Sequence, residues 1–324
     1  SAVAFQANDG RYNHLYIGTN SVSNSRLNFN SQFLISPALT IGSKVQLGFN
    51  TNPSDQISQT SPSSNSLDIR RAEIYLKSQQ WGKLFFGQGE TASENTAYAD
   101  LSGTKMAGRA SVQDIGGGLF FNGISTNPSI GDAFNALDGF SRKVRIRYDT
   151  PAFHGLVAAA SLIEGNRSDI ALKYGNTFAN TKVAAEIAYT SPQDLSSGTN
   201  AAHGNELNAS ASLLFPTGIS LTGATGDVMA SNTGRKNPHY YYIKPGYQFH
   251  YFNAGLSAFS VDYGRYTNFD QNNDTAKAFG LQAIQNIDPL DLALYAAYKQ
   301  FRLTRPGSNF HTINLILFGA LYKF

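Results

Sequence analysis

Cations occupy alternate positions along a short stretch in the middle of the chain. Lys143, Arg145 and Arg147 are separated by single apolar residues. If this stretch is a β-strand, the three cations share one face, because successive side chains of a strand point to opposite faces. A row of fixed cations beside a narrow water-filled space attracts anions and orders dipolar solutes. The same alternation places four further cations on polar strand faces: Arg26, Lys44, Arg71 and Lys77.

Residue patterns for catalysis are sparse. None of the six histidines lies in an H-E-x-x-H motif, and no G-x-S-x-G motif is present. The Gly116–Gly118 run lacks the Lys-Ser/Thr pair that completes a phosphate-binding loop. The absence of cysteine excludes disulfide scaffolds and cysteine-based metal sites. We expect a protein that is not an enzyme and uses no cofactor or metal, with a hydrolase site assembled from distant strands kept as an alternative.

The composition favours a β-rich membrane protein. Only 15% of the 324 residues are charged, whereas 12% are aromatic and 30 are glycine; soluble domains carry about 25% charged residues. No run of about 18 apolar residues occurs, which excludes a helical membrane protein. The net charge of +3 is too small to indicate a nucleic-acid partner. The chain begins Ser1-Ala2-Val3-Ala4, with no basic and apolar leader, so we expect the mature form of an exported protein.

The dominant pattern is a strand with one polar and one apolar face. From Arg26 to Ile35, for example, leucine, phenylalanine and isoleucine recur among polar residues with a period of two. We count about sixteen such strands, an even number within the range of bacterial barrels, although the pattern does not separate sixteen from eighteen. Helical patterns are short and confined to Asn95–Asp100 and Gly131–Leu137. The predicted strands are Tyr12–Thr19, Arg26–Ile35, Lys44–Asn50, Asp68–Ser78, Lys83–Glu90, Arg142–Thr150, Leu156–Ile163, Ile170–Phe178, Lys182–Thr190, Glu206–Phe215, Ser220–Met229, Tyr240–Phe249, Asn253–Tyr266, Ala276–Asn286, Leu292–Thr304 and Thr312–Phe324.

The connections between these strands alternate in length. Short turns such as Pro37-Ala38 and Asp288-Pro289 alternate with long polar segments. Short turns at one rim and long loops at the other are typical of an outer-membrane β-barrel, whereas a soluble β-sandwich does not need this alternation. The whole chain, residues 1–324, is therefore predicted to form one all-β transmembrane antiparallel barrel. The long segments are Thr51–Ser66, Thr91–Ser141, Ser191–Asn205 and Ser231–Pro238.

The segment Thr91–Ser141 is much longer than any other connection. Long loops in compact proteins are usually functional or disordered. This one contains apolar side chains that need cover, among them Leu119, Phe121 and Phe134. An exposed loop would leave them in water, so we expect the segment to fold inward against the barrel wall.

Several motifs resemble those of Gram-negative general porins. Ser25-Arg26-Leu27-Asn28-Phe29 is similar to the second-strand motif of that family. Arg71–Leu76 followed by Trp81–Gln88 resembles its fourth and fifth strands, and Val144–Gly155 resembles its sixth strand and the following turn. The chain ends Leu321-Tyr322-Lys323-Phe324, like the terminal-Phe strand of the family. One departure is Gln88, which stands where many members carry a pore arginine.

The resemblance implies a trimeric, water-filled channel for passive diffusion of small hydrophilic solutes and ions in a Gram-negative outer membrane. The bilayer and lipopolysaccharide would surround it. In such porins the loop after strand five narrows the lumen, and its acids face a basic ladder on the opposite wall. The basic wall would comprise Arg26, Lys44, Arg71, Lys77, Lys143, Arg145 and Arg147. The constriction-loop acids would be Glu94, Asp100, Asp114, Asp132 and Asp138.

Alternatives to these assignments remain. Any single one of these charges could merely face a wide lumen or lie at the rim, and Arg70, which shares the parity of apolar positions, is ambiguous between the lumen and the outer rim. A substrate-specific channel with a binding site at the constriction is the second functional hypothesis. A barrel hydrolase and a soluble β-sandwich adhesin are weaker ones.

The last expectations concern aromatic residues near a short turn, Pro245 and the final strand. Phe249, Tyr251 and Phe252 are predicted to form an interfacial girdle near a short turn, although an aromatic track that binds sugars would have the same composition. Pro245 predicts a β-bulge, because proline removes a ladder hydrogen bond. In the closing strand Phe324 shares one face with Tyr322, and we expect that face to meet lipid. The resemblance implies that this terminal pattern serves as an assembly signal.

Overall fold

The computed structural model describes residues 1–61, 65–191, 204–230 and 234–323. The predicted loops Thr51–Ser66, Ser191–Asn205 and Ser231–Pro238 therefore lie partly outside the described residues, and Phe324 lies wholly outside them. Among the described helices, none is long and apolar enough to span a bilayer.

The described chain forms one antiparallel sheet of 17 strands with almost no helix. The pattern of alternate polar and apolar positions predicted nearly all of it, and each of the sixteen predicted strands corresponds to an observed one. A one-turn helix, α1 (Ile130–Ala133), lies in the long segment between the sixth and seventh strands. The strands are β1 (Ala2–Asn8), β2 (Asn13–Gly18), β3 (Ser25–Ser36), β4 (Leu39–Thr51), β5 (Asn65–Ser78), β6 (Gly82–Glu90), β7 (Arg142–Asp149), β8 (Leu156–Ile163), β9 (Arg167–Phe178), β10 (Thr181–Ser191), β11 (Gly204–Leu214), β12 (Ile219–Ala230), β13 (His239–Phe249), β14 (Ser257–Thr267), β15 (Thr275–Ile287), β16 (Leu292–Thr304) and β17 (Ile313–Tyr322).

The additional strand is β1, and it changes how the last strand is paired. The ladder runs from β3 through consecutive neighbours to β17, and β1 then lies between β17 and β2. Ala2 is opposite Ala320, and Val3 is opposite Gly18. The last strand therefore pairs with β1, and not with β2, which is the first strand that alternation predicted. Just beyond the end of β2, the Thr19 N–H donates to the Thr51 carbonyl at the end of β4, at 2.9 Å.

The sequence pattern missed β1 because its apolar side chains face the interior of the barrel. Val3 and Phe5 are each only 1% exposed, and both belong to the main buried apolar cluster. In most of the other strands the apolar residues face outward: Phe29, Ile74 and Ile146 are all about half exposed. An apolar inner face needs a second layer to cover it. The segment between β6 and β7 provides that layer.

Two further features concern the register of neighbouring strands. In β5 the register against β4 shifts at Gln46, so that Arg70 is an extra residue beside Arg71. Such a bulge turns the extra side chain toward a different face, and Arg70 Nε donates to the inward Gln46 Oε1 at 3.0 Å. The bulge predicted at Pro245 is wrong: β13 keeps one register with β14 on both sides of the proline, with only a local gap in the ladder.

Candidate functional site: the inner wall of the barrel

The long loop, residues 91–141, lies inside the barrel and is held by hydrogen bonds to its inner wall. The Ala99 and Leu101 N–H groups donate to the Ser210 and Ser212 hydroxyls of β11, both at 2.9 Å. Small hydroxyl side chains at inward positions let the loop backbone approach the wall closely and satisfy its donors. The loop therefore follows the wall, as its apolar content predicted.

A buried charge pair fixes the next part of the loop. Lys244 of β13 is fully buried, and its Nζ donates to Asp100 Oδ2 at 2.9 Å and to the Gly108 carbonyl at 2.6 Å. Burial alone would raise the pKa of Asp100, but the ammonium of Lys244 outweighs it, so the pKa lies below its usual value. Gly108 lies so close to the wall that a Cβ there would be 2.8 Å from Gln282 Nε2. A larger residue at this position would require the Gln282 side chain to move.

The centre of the loop forms an apolar core with the wall. Phe134 makes edge-to-face contacts with Tyr266 of β14 and Phe301 of β16, with ring centroids 5.0 and 5.4 Å apart. Around it, fully buried apolar side chains of the loop and of the neighbouring strands form one cluster. We call the inner faces of β11–β17 and β1, together with the loop that covers them, the sealed wall. Its main apolar members from the loop are Ile115, Leu119, Phe121, Ile130 and Phe134, and those from the strands are Phe5, Phe301, Ile313, Leu315 and Leu317.

Four of the five predicted loop acids have partners within the loop or on the sealed wall. Asp100 pairs with Lys244, and Asp114 pairs with Arg109 of the loop itself. Asp132 and Ser129 form a capping box at the start of α1. Asp138 accepts from the Asn95 and Ala97 N–H groups at 2.9 and 3.0 Å. The fifth acid, Glu94, binds Arg142 of β7, with Nη2 2.8 Å from Oε1.

Among the five predicted loop acids, Asp138 has the pKa that lies furthest from its ordinary value. Burial, and then the nearby charge of Glu94, raise its pKa to about 8, although the two N–H donors and Arg109 act in the opposite direction. The protonated form of Asp138 is therefore the main species at neutral pH. This carboxyl group closes a turn of the loop backbone by accepting from two N–H groups.

The opposite side of the barrel is left open by the loop. Within the described chain, no hydrogen bond or ion pair links residues 91–141 to β3, β4 or β5. Inward polar residues there, such as Asn28, Asn30 and Lys77, are exposed. The passage through the barrel is therefore lined by β3–β7 on one side and by the loop on the other.

Six guanidinium groups line this open side, and we call them the arginine wall. Alternation predicted four of them on inward faces: Arg26 of β3, Arg71 of β5, and Arg145 and Arg147 of β7. The bulge adds Arg70 beside Arg71. The full set is Arg26, Arg70, Arg71, Arg142, Arg145 and Arg147. Sequence reasoning left Arg70 ambiguous and missed Arg142, although both adjoin a predicted member.

Four carboxylates partly neutralise the arginine wall. Glu73 binds Arg145, Glu90 binds Arg71, Glu94 binds Arg142, and Asp149 holds Arg147 through two hydrogen bonds of 2.6 and 3.1 Å. The four ion pairs leave two of the six guanidinium groups without a carboxylate among the described residues. Those two are Arg26, which donates to Ser23 and Asn24, and Arg70, which donates to Gln46.

Arg145 differs from its neighbours because all of its donor nitrogens are used inside the wall. Nε donates to the Glu90 carbonyl at 2.9 Å, Nη1 donates to the Gly87 carbonyl at 3.0 Å, and Nη2 binds Glu73. Its side chain is 1% exposed. The position therefore braces β5, β6 and β7 and does not present its charge to a passing solute.

The remaining residues that were named from the sequence are three lysines, Gln88 and Tyr322. Lys44 lies 5.9 Å from the centre of the Tyr75 ring, Lys77 is exposed, and Lys143 is half-buried. Gln88 is opposite Ala72 and Val144, whose side chains face outward, so it does not belong to the inner wall. On the last strand, Tyr322 shares the outward face of Phe318, and both side chains are exposed.

No group of three or more metal-binding side chains is present among the described residues. Sequence reasoning also missed Glu73, Glu90 and Lys244 as partners of these charges. Lys244 was recognisable as an isolated cation in a strand of aromatic and apolar residues. Its partner Asp100 was not, because the path of a long loop is not visible in the sequence.

Comparison with known proteins agrees with this geometry. The anion-selective porin from Comamonas acidovorans is similar over 99% of this chain and 97% of its own, with 16% identity and a TM-score of 0.67. OmpT, an outer membrane protein of Vibrio cholerae, was solved as a trimer form and is similar over 99% and 96%, with 14% identity and a TM-score of 0.59. Salmonella typhi OmpF in complex with daunomycin is similar over 100% and 96%, with 11% identity and a TM-score of 0.58. A search of curated proteins finds no match.

The family assignment comes from the sequence itself. A family model described as Gram-negative porin matches residues 4–305, which is most of the chain. The antiparallel sheet, the inward loop and the similar solved structures all agree with that match. The chain therefore belongs to the Gram-negative porin family and forms a channel in the outer membrane through which solutes diffuse.

Proposed function

We propose that this porin is a non-specific diffusion channel with a weak preference for anions, and that the arginine wall sets the preference. The observation that carries the proposal is the charge imbalance on the open side. Arg26 and Arg70 have no carboxylate partner among the described residues, and they lie beside the passage that the long loop leaves free. Lys44, Lys77 and Lys143 add positive charge on the same side of the barrel.

The size of the effect follows from the surroundings of these charges. Fixed charges on a wall of low dielectric constant act on an ion in the passage more strongly than they would in open water. Their field is screened over about 10 Å at 0.1 M salt, so the preference falls as ionic strength rises. Among the described residues, two arginines without a carboxylate partner and three lysines lie beside four arginines that are balanced in ion pairs, which supports a weak preference rather than a strong one. The similar porin from Comamonas acidovorans is described as anion-selective, which supports the same sign.

We propose further that the protein is not an enzyme and that it works as a homotrimer. Passive diffusion needs no catalytic group, and four of the six arginines of the arginine wall are held in ion pairs with carboxylates. The trimer form of the Vibrio cholerae OmpT structure supports the oligomeric state. Chemical cross-linking of the detergent-extracted protein, followed by native gel electrophoresis, would test it: a monomer at all concentrations would contradict the proposal.

The reversal potential across a planar bilayer with a salt gradient tests the selectivity. The wild-type channel should show chloride passing more readily than potassium, and the difference should shrink at high salt. The variant Arg26→Gln/Arg70→Gln should lose the preference or become weakly cation-preferring, because it removes the two cations that have no carboxylate partner in the described chain.

The matched control is Arg265→Gln/Arg302→Gln, which changes the net charge equally on the outer face of β14 and β16. It should leave the reversal potential as in wild type. Strong cation selectivity in the wild type, or equal shifts in the two double variants, would contradict the proposal.

A further inference from the structure

A second loop enters the barrel and packs against the long loop. The segment that follows β4, residues 53–59, contains Ser54 and Ile57, whose side chains are 0% and 1% exposed. Ile57 belongs to the same buried apolar cluster as Phe134 of the long loop. A polar connection between two strands ordinarily lies on the surface, so specific contacts must hold this one inside. We call residues 53–59 the strap.

Hydrogen bonds join the strap to the long loop on both sides of a glycine run. The Gly116 N–H donates to the Ser54 carbonyl at 2.7 Å, and the Ser54 hydroxyl donates to the Asp114 carbonyl at 2.6 Å. At the other end of the strap, Gln59 Oε1 accepts from the Phe120 N–H at 2.9 Å. Its Nε2 donates to the Phe120 carbonyl at 3.0 Å. The strap therefore binds the backbone of the long loop at two separate points.

The glycine run, Gly116–Gly118, lets the two loops approach each other closely. A Cβ at Gly118 would lie 2.6 Å from the Gln56 carbonyl oxygen and 2.7 Å from that of Ile57, both in the strap. The φ of Gly118 is not positive, unlike the φ of +79° at Gly116, so alanine could adopt the backbone conformation of Gly118. Contact with the strap therefore requires glycine at this position. It accounts for a glycine run that lacks the pattern of a phosphate-binding loop.

The strap is in turn fixed to the barrel wall at both of its ends. Gln59 Nε2 also donates to Asp9 Oδ2 at 2.7 Å, and Asp9 lies in the turn between β1 and β2. The Ser54 N–H donates to the carbonyl of Thr19, just beyond the end of β2, at 2.9 Å. The strap thus links the long loop to the part of the wall around β2.

We propose that the strap is a positioning element of the channel, which holds residues 113–120 of the long loop against the wall and so keeps the passage open. Other parts of the long loop are fixed by Lys244 and by the contacts of Phe134. Within the described chain, the strap makes all the hydrogen bonds that join residues 113–120 to elements outside the long loop. Because the long loop lines the passage, release of this stretch lets it move into the lumen. The proposal does not depend on the ion preference proposed above.

Thiol labelling in lipid vesicles tests whether the strap is docked. The chain contains no cysteine, so Ser54→Cys and Ile57→Cys each introduce one thiol at a buried position, the second without loss of a side-chain hydrogen bond. A membrane-impermeant maleimide should label both roughly tenfold more slowly than the exposed position in Thr60→Cys, because a buried group reacts only after local opening.

Addition of Gly118→Ala should bring both buried positions close to the labelling rate of Thr60→Cys, because the new methyl group displaces the strap. Heat-modifiable migration on gels first establishes that each variant is folded. Rapid labelling of both buried positions without Gly118→Ala would show that the strap is not docked and would overturn the proposal. Slow labelling that Gly118→Ala leaves unchanged would overturn the role of the glycine contact, and with it the proposal.

Single-channel recording tests the effect on the passage. At a fixed voltage, Gly118→Ala and Gln59→Ala should each spend severalfold more time in partly closed levels than wild type. The double variant should resemble the stronger single variant, because both changes release the same strap and neighbouring sites that act as a unit are not additive. The control is Gly175→Ala of β9, where a Cβ would meet no atom within 4 Å, and it should behave as wild type. Recordings equal to wild type for both single variants, or additive effects in the double variant, would contradict a positioning role for the strap.

Discussion

The two sides of this barrel use the same kinds of charged residue in different ways. On the sealed wall, Lys244 is completely buried and is balanced by Asp100 from the loop. On the open side, Arg26 and Arg70 face the passage without a carboxylate partner among the described residues. The difference lies in what covers the strands, since the loop brings its own acids and apolar side chains to one wall and, in the described chain, makes no such contacts with β3, β4 or β5.

This contrast shows how one loop divides the barrel into a structural half and a conducting half. Burying a charge is costly unless it is paired and hydrogen-bonded, which explains the ion pairs Lys244–Asp100 and Arg109–Asp114 on the sealed wall. A water-filled passage imposes no such requirement, so surplus cations are tolerated there. Net charge near the passage can therefore change without loss of the fold, while the sealed wall tolerates little change.

The largest expected effect comes from deleting the part of the long loop that covers the sealed wall. Deletion of Ser111–Leu137, with a short Gly-Ser link, takes away the apolar centre of the loop, including Phe134. We expect conductance to rise severalfold, because the inner wall beneath the loop becomes part of the lumen, while the ladder from β3 to β2 through β1 remains intact. Single-channel recording measures the change, and gel migration before and after heating checks that the barrel is folded. A conductance equal to that of wild type would show that the passage does not run beside this part of the loop.

A smaller intervention breaks one buried pair. Lys244→Met leaves Asp100 buried without its cation, and removal of one partner of a buried pair costs about 3–5 kcal/mol. We expect the heat-modifiable transition to move to lower temperature and the open-channel current to become noisier, since the loop loses its clamp. The double variant Lys244→Met/Asp100→Asn should recover most of the stability. If the single variant is as stable as wild type, the pair does not clamp the loop.

Much of this arrangement was predictable from the sequence, and the exceptions have physical causes. Alternation identified sixteen strands because, in most of them, an apolar outer face alternates with a polar inner face. It failed at β1, where Val3 and Phe5 face inward against the loop, so the strand is apolar on both faces over its first half. It also left Arg70 ambiguous, because a bulge changes the face of one residue without any mark in the sequence.

The candidate site was less predictable than the fold. The cations of the arginine wall follow from strand parity, which is local. The partners of the acids depend on where a loop of about fifty residues lies in space, and no local pattern carries that information. Asp100 and Asp138 were predicted to line a constriction, but one is paired with Lys244 and the other accepts backbone N–H groups of the loop. Their role at a constriction thus stays a prediction.

A change of pH is a third way to alter the stability of the sealed wall, because it titrates Asp138 of the loop. Its folded pKa of about 8 lies above the ordinary value of an aspartate, so the folded state holds the proton more tightly than the unfolded state. Stability is then highest below about pH 4, falls as the pH rises toward 8, and is constant above that, as far as this group is concerned. Asp138→Asn should remove this dependence and make the protein more stable than wild type near pH 8. The transition temperature of both proteins, measured from pH 4 to pH 9, decides between this outcome and parallel curves, which would contradict it.

The smallest expected effect concerns Arg147, on the open side of the barrel. Arg147 is held by Asp149 through two hydrogen bonds, and its side chain is 12% exposed, so its charge is largely balanced where a solute passes. Arg147→Gln removes one cation and leaves Asp149 unpaired, which should move the reversal potential slightly toward cations, by less than Arg26→Gln/Arg70→Gln does. The variant Arg147→Gln/Asp149→Asn removes the whole pair and leaves the net charge unchanged, so it should have no shift. If that neutral double variant shifts the potential as much as the loss of Arg26 and Arg70, the selectivity depends on the shape of the passage, and the distinction between paired and unpaired arginines has no functional meaning.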